Sequence, residues 1–268
     1  MKQKLWVTVG IVVGLVGGLS TPAVAKGSSG GGVIGPASIT EDFSATGLNT
    51  ALWQPNWRAD NNSNTLTTNP VSNEINCYDP ANVTQPGDGY LHLTAEHRPC
   101  TVQSSQNHLT FQYASGLVNT HLSFTFTTGT AEARICLPGA PNQPGVIANW
   151  PAWWTDGTGR WPSTGESDIV EGLAGSTPGG AEWHYHGPGR TTQYGAEVPG
   201  DYTGCHVYTE VVTSTTTTYI YDGVTVGSAP NADAPNYLVL NYAVGGYGGP
   251  IVTPATMLVD YVHVTRTS

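Results

Sequence analysis

Only 10% of the 268 residues are charged, yet three carboxylates stand close together as E-x-D-x-x-E: Glu166, Asp168 and Glu171. Ile169 and Val170, between the last two, are β-branched, and Pro162-Ser163-Thr164-Gly165 just ahead has turn composition, so the segment is expected to be a strand. On a regular strand, residues two apart share a face. Glu166 and Asp168 obey this; Glu171 does not. One extra residue around Ile169–Val170, a β-bulge, returns Glu171 to the common face, and bulges gather beside active sites. Like charges this close are costly unless at least one is protonated. Two carboxyls with split proton affinities can serve as nucleophile and acid/base on a glycosidic bond, with Asp168 holding the proton balance between them. A solvated or calcium-binding acidic strand has the same spacing.

Four tryptophans, Trp150, Trp153, Trp154 and Trp161, crowd into the twelve residues upstream. Indole rings pack in cores, and they also stack on the C–H faces of pyranose rings. About half are expected to be core; Trp150, Trp154 and Trp161 are the candidates for sugar stacking. In EWHYHG, His184 and His186 share a face with Glu182, opposite Trp183 and Tyr185. A histidine there can contact a carboxylate or the glycosidic oxygen, and His184 is the candidate. Glu132 and Arg134 share one face of TAEARI, as cleft residues or as an ion pair on a sheet surface.

The elements that must position these residues are short and β-like. Thirty-four glycines and 19 prolines punctuate alternating runs. Leu91, Leu93 and Ala95 alternate with polar residues, as do Leu122, Phe124 and Phe126; Val207 to Val226 reads as a hairpin turned at Asp222-Gly223. No segment carries a helical apolar stripe. Two packed antiparallel sheets fit the pattern. Residues 1–25, with Lys2, Lys4, an apolar run and Ala23-Val24-Ala25, read as a secretory signal peptide, too short in its apolar part to span a bilayer. A Gly/Ser-rich linker follows over 26–38 and one catalytic domain over 39–268. The mature chain is expected to be secreted, extracellular and free of the membrane. Without Lys2 and Lys4, seven basic residues face 19 acidic ones, which argues against nucleic acid and anionic polysaccharides and for a neutral polysaccharide partner. Cys77, Cys100, Cys136 and Cys205 allow two disulfides in three pairings; Cys77–Cys100 with Cys136–Cys205 is preferred, because the first pair flanks neighbouring strands.

The run WPAWW…WPSTGESDIVEG resembles the catalytic segment of glycoside hydrolase family 16, and its bulged acid triplet resembles the laminarinase-like branch. EDFSATGLNTALW, SNEINCYDPANV, DGYLHLTA, YASGLVNT, GTAEARICLPG, NYAVGGYGG and MLVDYVHV are similar to further blocks of that family, in its order. The resemblance implies an all-β, concanavalin A-like jelly-roll sandwich. It also implies a retaining endo-β-glucanase acting on β-1,3- or mixed β-1,3/1,4-glucan, with no cofactor for catalysis; the chain is expected to be a monomer. Glu166 would be the nucleophile, Glu171 the acid/base and Asp168 the helper. Asn73 and Glu74 would contact sugar hydroxyls, and Asp260 would bind a structural calcium ion. Ser167 departs from the family's usual aliphatic residue, Val170 from its methionine and His263 from its arginine, and the tryptophan usual after Glu210 is absent. The alternatives are a lectin-like binding module of the same fold and a transglycosylase or galactanase of the same family. N-terminal sequencing of exported protein should begin at Lys26.

Overall fold

A computed structural model describes residues 33–57, 66–69, 73–103, 108–159, 161, 163–173, 179–232 and 235–267. The expected signal peptide and most of the linker lie outside the described residues. The remainder is the expected all-β sandwich. One sheet of six strands carries the acid triplet, in the order Gln193–Pro199, Gly180–His186, Glu166–Glu171, Trp150–Gly157, Asn236–Ala243 and Leu117–Asn119, all antiparallel. The facing, eight-stranded sheet runs Val224–Pro230, Thr216–Tyr221, Gly204–Val212, Gly129–Leu137, Ala255–Arg266, Leu91–Ala95 and Val83–Thr84, with Ser38–Glu41 also paired to Ala255–Arg266.

Alternation builds the core between the sheets. Ala181, Trp183 and Tyr185 point in from one sheet, and Tyr208, Tyr219 and Tyr221 from the other, while Glu182, His184 and His186 face the opposite way. Trp183 stacks on Tyr219 with ring centroids 4.5 Å apart, an offset aromatic contact that fixes the spacing of the layers. The strand Asn236–Ala243 is buried on both faces: Leu238, Leu240 and Tyr242 join the main core, whereas Tyr237, Val239 and Ala243 form a second apolar cluster with Trp154 and Tyr78. That second cluster floors the groove above the acids.

The inserted residue is where the spacing placed it. Trp153 pairs with Val170 and Trp154 with Asp168, so Ile169 has no partner on that side. On the other side Asp168 pairs with His184 and Glu171 with Glu182, again with a residue to spare. Ile169 and Val170 are therefore both buried in the main core, and Glu171 returns to the face of Glu166 and Asp168. A bulge frees backbone groups from the ladder, and buried ones need other partners. Here the partner comes from the facing sheet. The Tyr221 hydroxyl donates to the Ile169 carbonyl at 2.8 Å and lies 3.1 Å from the Glu182 carbonyl.

Two sequence expectations need correction. Leu122, Phe124 and Phe126 do not form a strand: Phe124 N and Ser123 N both donate to the Thr120 carbonyl, closing a turn that buries Phe124 and Phe126 and leaves Leu122 exposed. The segment Val207–Val226 belongs to three strands, with an extra turn at Thr213–Thr216 before the Asp222-Gly223 turn. Both residues of that second turn have positive φ (48° and 79°), the two-residue geometry that suits a tight hairpin. Both preferred disulfides form, Cys77–Cys100 and Cys136–Cys205, the latter across directly paired residues.

Tyr221→Phe leaves the bulge carbonyls without their hydroxyl. It should lower stability by about 1–3 kcal/mol in urea titration and reduce turnover through a loosened Glu171.

Candidate active site

A cleft of about 690 Å³ lies over the six-stranded sheet, and Glu166, Asp168 and Glu171 all line it. Oxygens of Glu166 and Asp168 lie within 4.8 Å of each other and of a His186 nitrogen; oxygens of Asp168 and Glu171 stand equally close, with a His184 nitrogen. Each outer acid has its own indole. Trp161 donates its N–H to Glu166 Oε2, and Trp150 donates to Glu171 Oε1 at 3.0 Å. Trp154 donates to Asn241 Oδ1 at 2.7 Å, and its ring stacks on Trp57 with centroids 5.4 Å apart.

Histidines close the other side. His184 Nδ1 lies 2.7 Å from Glu171 Oε2, and its Nε2 lies 3.4 Å from Glu182 Oε2. His186 Nε2 is 3.4 Å from Asp168 Oδ2. The imidazole of His184 lies over Gly195, its ladder partner on the neighbouring strand. A Cβ there would stand 2.2 Å from His184 Cδ2, so only glycine lets the ring reach Glu171.

The electrostatics follow from crowding. Burial pushes the Glu166 carboxyl well above the usual carboxylate range, and the Asp168 charge adds to this. Burial does the same to Asp168, reinforced by Glu171. At His184 burial works against the charged ring, but the hydrogen bond to Glu171 and the charges of Glu171 and Asp168 outweigh it, so its pKa is raised. Three carboxyls in this space cannot all ionise cheaply. Asp168, the most enclosed of the three and central to them, is where a retained proton relieves both neighbours.

Most of the expected site residues meet here. Trp150, Trp154, Trp161, Glu74 and His184 line the cleft, while Trp153 is wholly buried core. Asn73 is exposed and outside the lining, its carbonyl 3.4 Å from Gly246 N; Asn69 takes the place beside Glu74, with Nδ2 3.4 Å from Oε1. Sequence reasoning missed Trp57, Asn69, Asp156, Arg190, Asn241 and Tyr247. Arg190 lies 4.2 Å over the Trp161 ring, and Tyr247 meets Trp150 edge-on at 5.5 Å. Only Tyr247 and Asn241 carried a signal, inside the NYAVGGYGG block.

Asp260 is elsewhere, on Ala255–Arg266 of the facing sheet, where its carboxylate binds the Arg134 guanidinium. The residue expected to bind calcium thus forms an ion pair with Arg134. Glu132, on the same sheet as Arg134, accepts from Thr209 and Tyr261 hydroxyls instead. No helix among the described residues is long and apolar enough to cross a membrane.

No family model matches the chain. It is 30% identical over 212 residues to a "Beta-glucanase" of Rhodothermus marinus, covering 67% of this chain and 69% of that protein. It is 29% identical over 248 residues to an "Endo-1,3-1,4-beta-glycanase EglC" of Rhizobium meliloti, covering 84% of this chain and 50% of that protein. The chain spans half or less of the first curated relatives it matches, at 50%, 37% and 40% of their lengths. Among solved structures it matches SCLam, described as a non-specific endo-beta-1,3(4)-glucanase from family GH16. The TM-score is 0.68 at 24% identity, covering 88% of this chain and 93% of that one.

A carboxyl whose pKa is raised in the folded state loses stability as pH climbs from its unfolded value, about 4, through its folded one, because the unfolded chain ionises first. Asp168→Asn removes that penalty. Thermal and urea unfolding at pH 7 should show a gain on the order of 1 kcal/mol, absent at pH 3, together with a large loss of turnover.

Proposed function

The chain belongs to glycoside hydrolase family 16, and on that footing we propose that it is an exported, monomeric, retaining endo-β-glucanase acting on neutral β-1,3- or mixed β-1,3/1,4-glucan. The observation that carries the reading is the bulge. It collects three carboxyls in one groove whose walls are indoles, and a binding module has no use for that triplet. In the first step Glu166 attacks the anomeric carbon while Glu171 gives its proton to the departing glycosidic oxygen, leaving a glycosyl ester on Glu166. In the second, Glu171 takes a proton from water, the hydroxide oxygen bonds to the anomeric carbon, and Glu166 leaves as carboxylate. The Trp161 N–H, already aimed at Glu166 Oε2, orients the nucleophile. His184 and the Trp150 N–H support the charge left on Glu171 once its proton has gone. Asp168 keeps a proton so that Glu166 can stay ionised beside it.

Sugar rings have flat apolar faces, and the Trp57–Trp154 pair, Trp150 and Tyr247 supply matching surfaces along the groove. Glu74, Asn69 and Asn241 supply acceptors and donors for hydroxyl pairs. The acidic balance of the chain suits an uncharged polymer. Export accords with the two disulfides and the leader-like first 25 residues.

Wild-type protein should release reducing ends from laminarin or lichenan, and Glu166→Gln should lose at least about 10³-fold in kcat while still binding the polymer. Binding without any release by wild type, on every neutral β-glucan tried, would assign the fold to carbohydrate capture instead.

A further inference from the structure

Ser167 points away from the cleft, between Glu166 and Asp168, into the core. There its hydroxyl contacts Glu210 Oε1 and lies 2.6 Å from the Tyr219 hydroxyl, which in turn lies 3.2 Å from the His184 carbonyl. Glu210 is 1% exposed, on Gly204–Val212 of the facing sheet, directly paired with Tyr219. A carboxyl group thus sits in the interior behind the catalytic strand, in a chain of contacts ending on the residue that holds Glu171.

The protons in this chain can be counted. Three contacts need three donors: one between Glu210 and Ser167, one between Ser167 and Tyr219, and one from Tyr219 to the His184 carbonyl. Serine and tyrosine hydroxyls have one proton each, and an ionised carboxylate has none. With Glu210 ionised, Ser167 donates to it, and the single Tyr219 proton must serve both remaining contacts. With Glu210 protonated, it donates to Ser167, Ser167 to Tyr219 and Tyr219 to the His184 carbonyl, and each of these three contacts has its own proton. An enclosed acid with a neutral partner also avoids the cost of an interior charge.

We propose that Glu210 is a positioning residue that carries a proton in the folded enzyme and, through Ser167 and Tyr219, locks the catalytic strand to the strand bearing His184. Its kinetic consequence rests on the glucanase reading above. On the strands packed against it, the titratable groups are Glu166 and Asp168 on the catalytic strand, Asp156 on one neighbouring strand and Glu182, His184 and His186 on the other, and Tyr219 and Tyr221 belong to the strand paired with its own. Glu132, on the adjoining strand, is turned outward to Tyr261. The substitution that separates Glu210 from all of these is the amide, which is neutral at every pH and donates an N–H to Ser167.

Steady-state kinetics on laminarin with wild type, Glu210→Gln, Glu210→Leu and Ser167→Ala tests this. Glu210→Gln should keep kcat within about twofold across the pH profile. Glu210→Leu and Ser167→Ala should each lose about tenfold in kcat with little change in KM, as expected for a misplaced catalytic group rather than lost binding. Equal damage from Gln and Leu, or wild-type kcat in Ser167→Ala, overturns the proposal. An infrared difference spectrum of wild type minus Glu210→Gln provides a readout independent of activity and of the Leu variant's folding. A neutral carboxylic-acid carbonyl band lost in the Gln variant supports the proposal, and a lost carboxylate band overturns it. If wild type cleaves no glucan, the spectrum still decides the protonation of Glu210 while the glucanase reading fails separately.

Discussion

Everything in the cleft depends on one surplus residue in the strand Glu166–Glu171. A strand presents alternate residues to opposite faces, so acids at an odd separation cannot share a face while the ladder stays regular. The bulge resolves this by sending both Ile169 and Val170 inward, where apolar side chains gain from burial, and by freeing backbone carbonyls that the ladder no longer uses. Tyr221, rooted in the other sheet, reaches across to those carbonyls. The irregularity is thus held by contacts across the core, with Trp183 stacked on Tyr219 setting the gap the hydroxyls must span.

The charge arrangement follows from the same geometry. Drawing three carboxyls together raises the proton affinity of Glu166 and Asp168, chiefly through burial. Among the described residues, the groups that contact the three carboxyls are indole N–H groups and imidazoles. The indole N–H is a neutral donor, so Trp161 orients Glu166 without neutralising it. Arg190, which also lines the cleft, lies over the Trp161 ring.

Local chemistry was readable in the chain and long-range placement was not. The i, i+2, i+5 acid spacing put all three acids on one face only with a bulge, and alternation set Leu91 and Leu93 apart from their polar neighbours and Trp183 and Tyr185 opposite His184 and His186. The same rule failed at Leu122, because the Thr120 turn overrides an alternating pattern only six residues long. It placed Glu132 and Arg134 on one face correctly but could not show that Asp260, 126 positions away, would bind the arginine. Trp57 and Asn69 enter the cleft on loops and Arg190 on the 3₁₀ turn Pro188–Arg190, segments whose paths are set by tertiary packing rather than by periodicity. The polar line from Ser167 to Glu210 left a trace as a serine on a strand whose other inward residues, Ile169 and Val170, are aliphatic, but its partner could be found only in three dimensions.

The extra residue is also a matter of counting in evolution. Substitution exchanges side chains on this strand, but while both outer acids are kept in place it leaves the number of residues between them unchanged. With those acids retained, passage between a straight and a bulged form of the strand therefore takes a gained or lost codon. Each such step turns the terminal glutamate over completely, so intermediate forms with a half-turned acid have no structural counterpart.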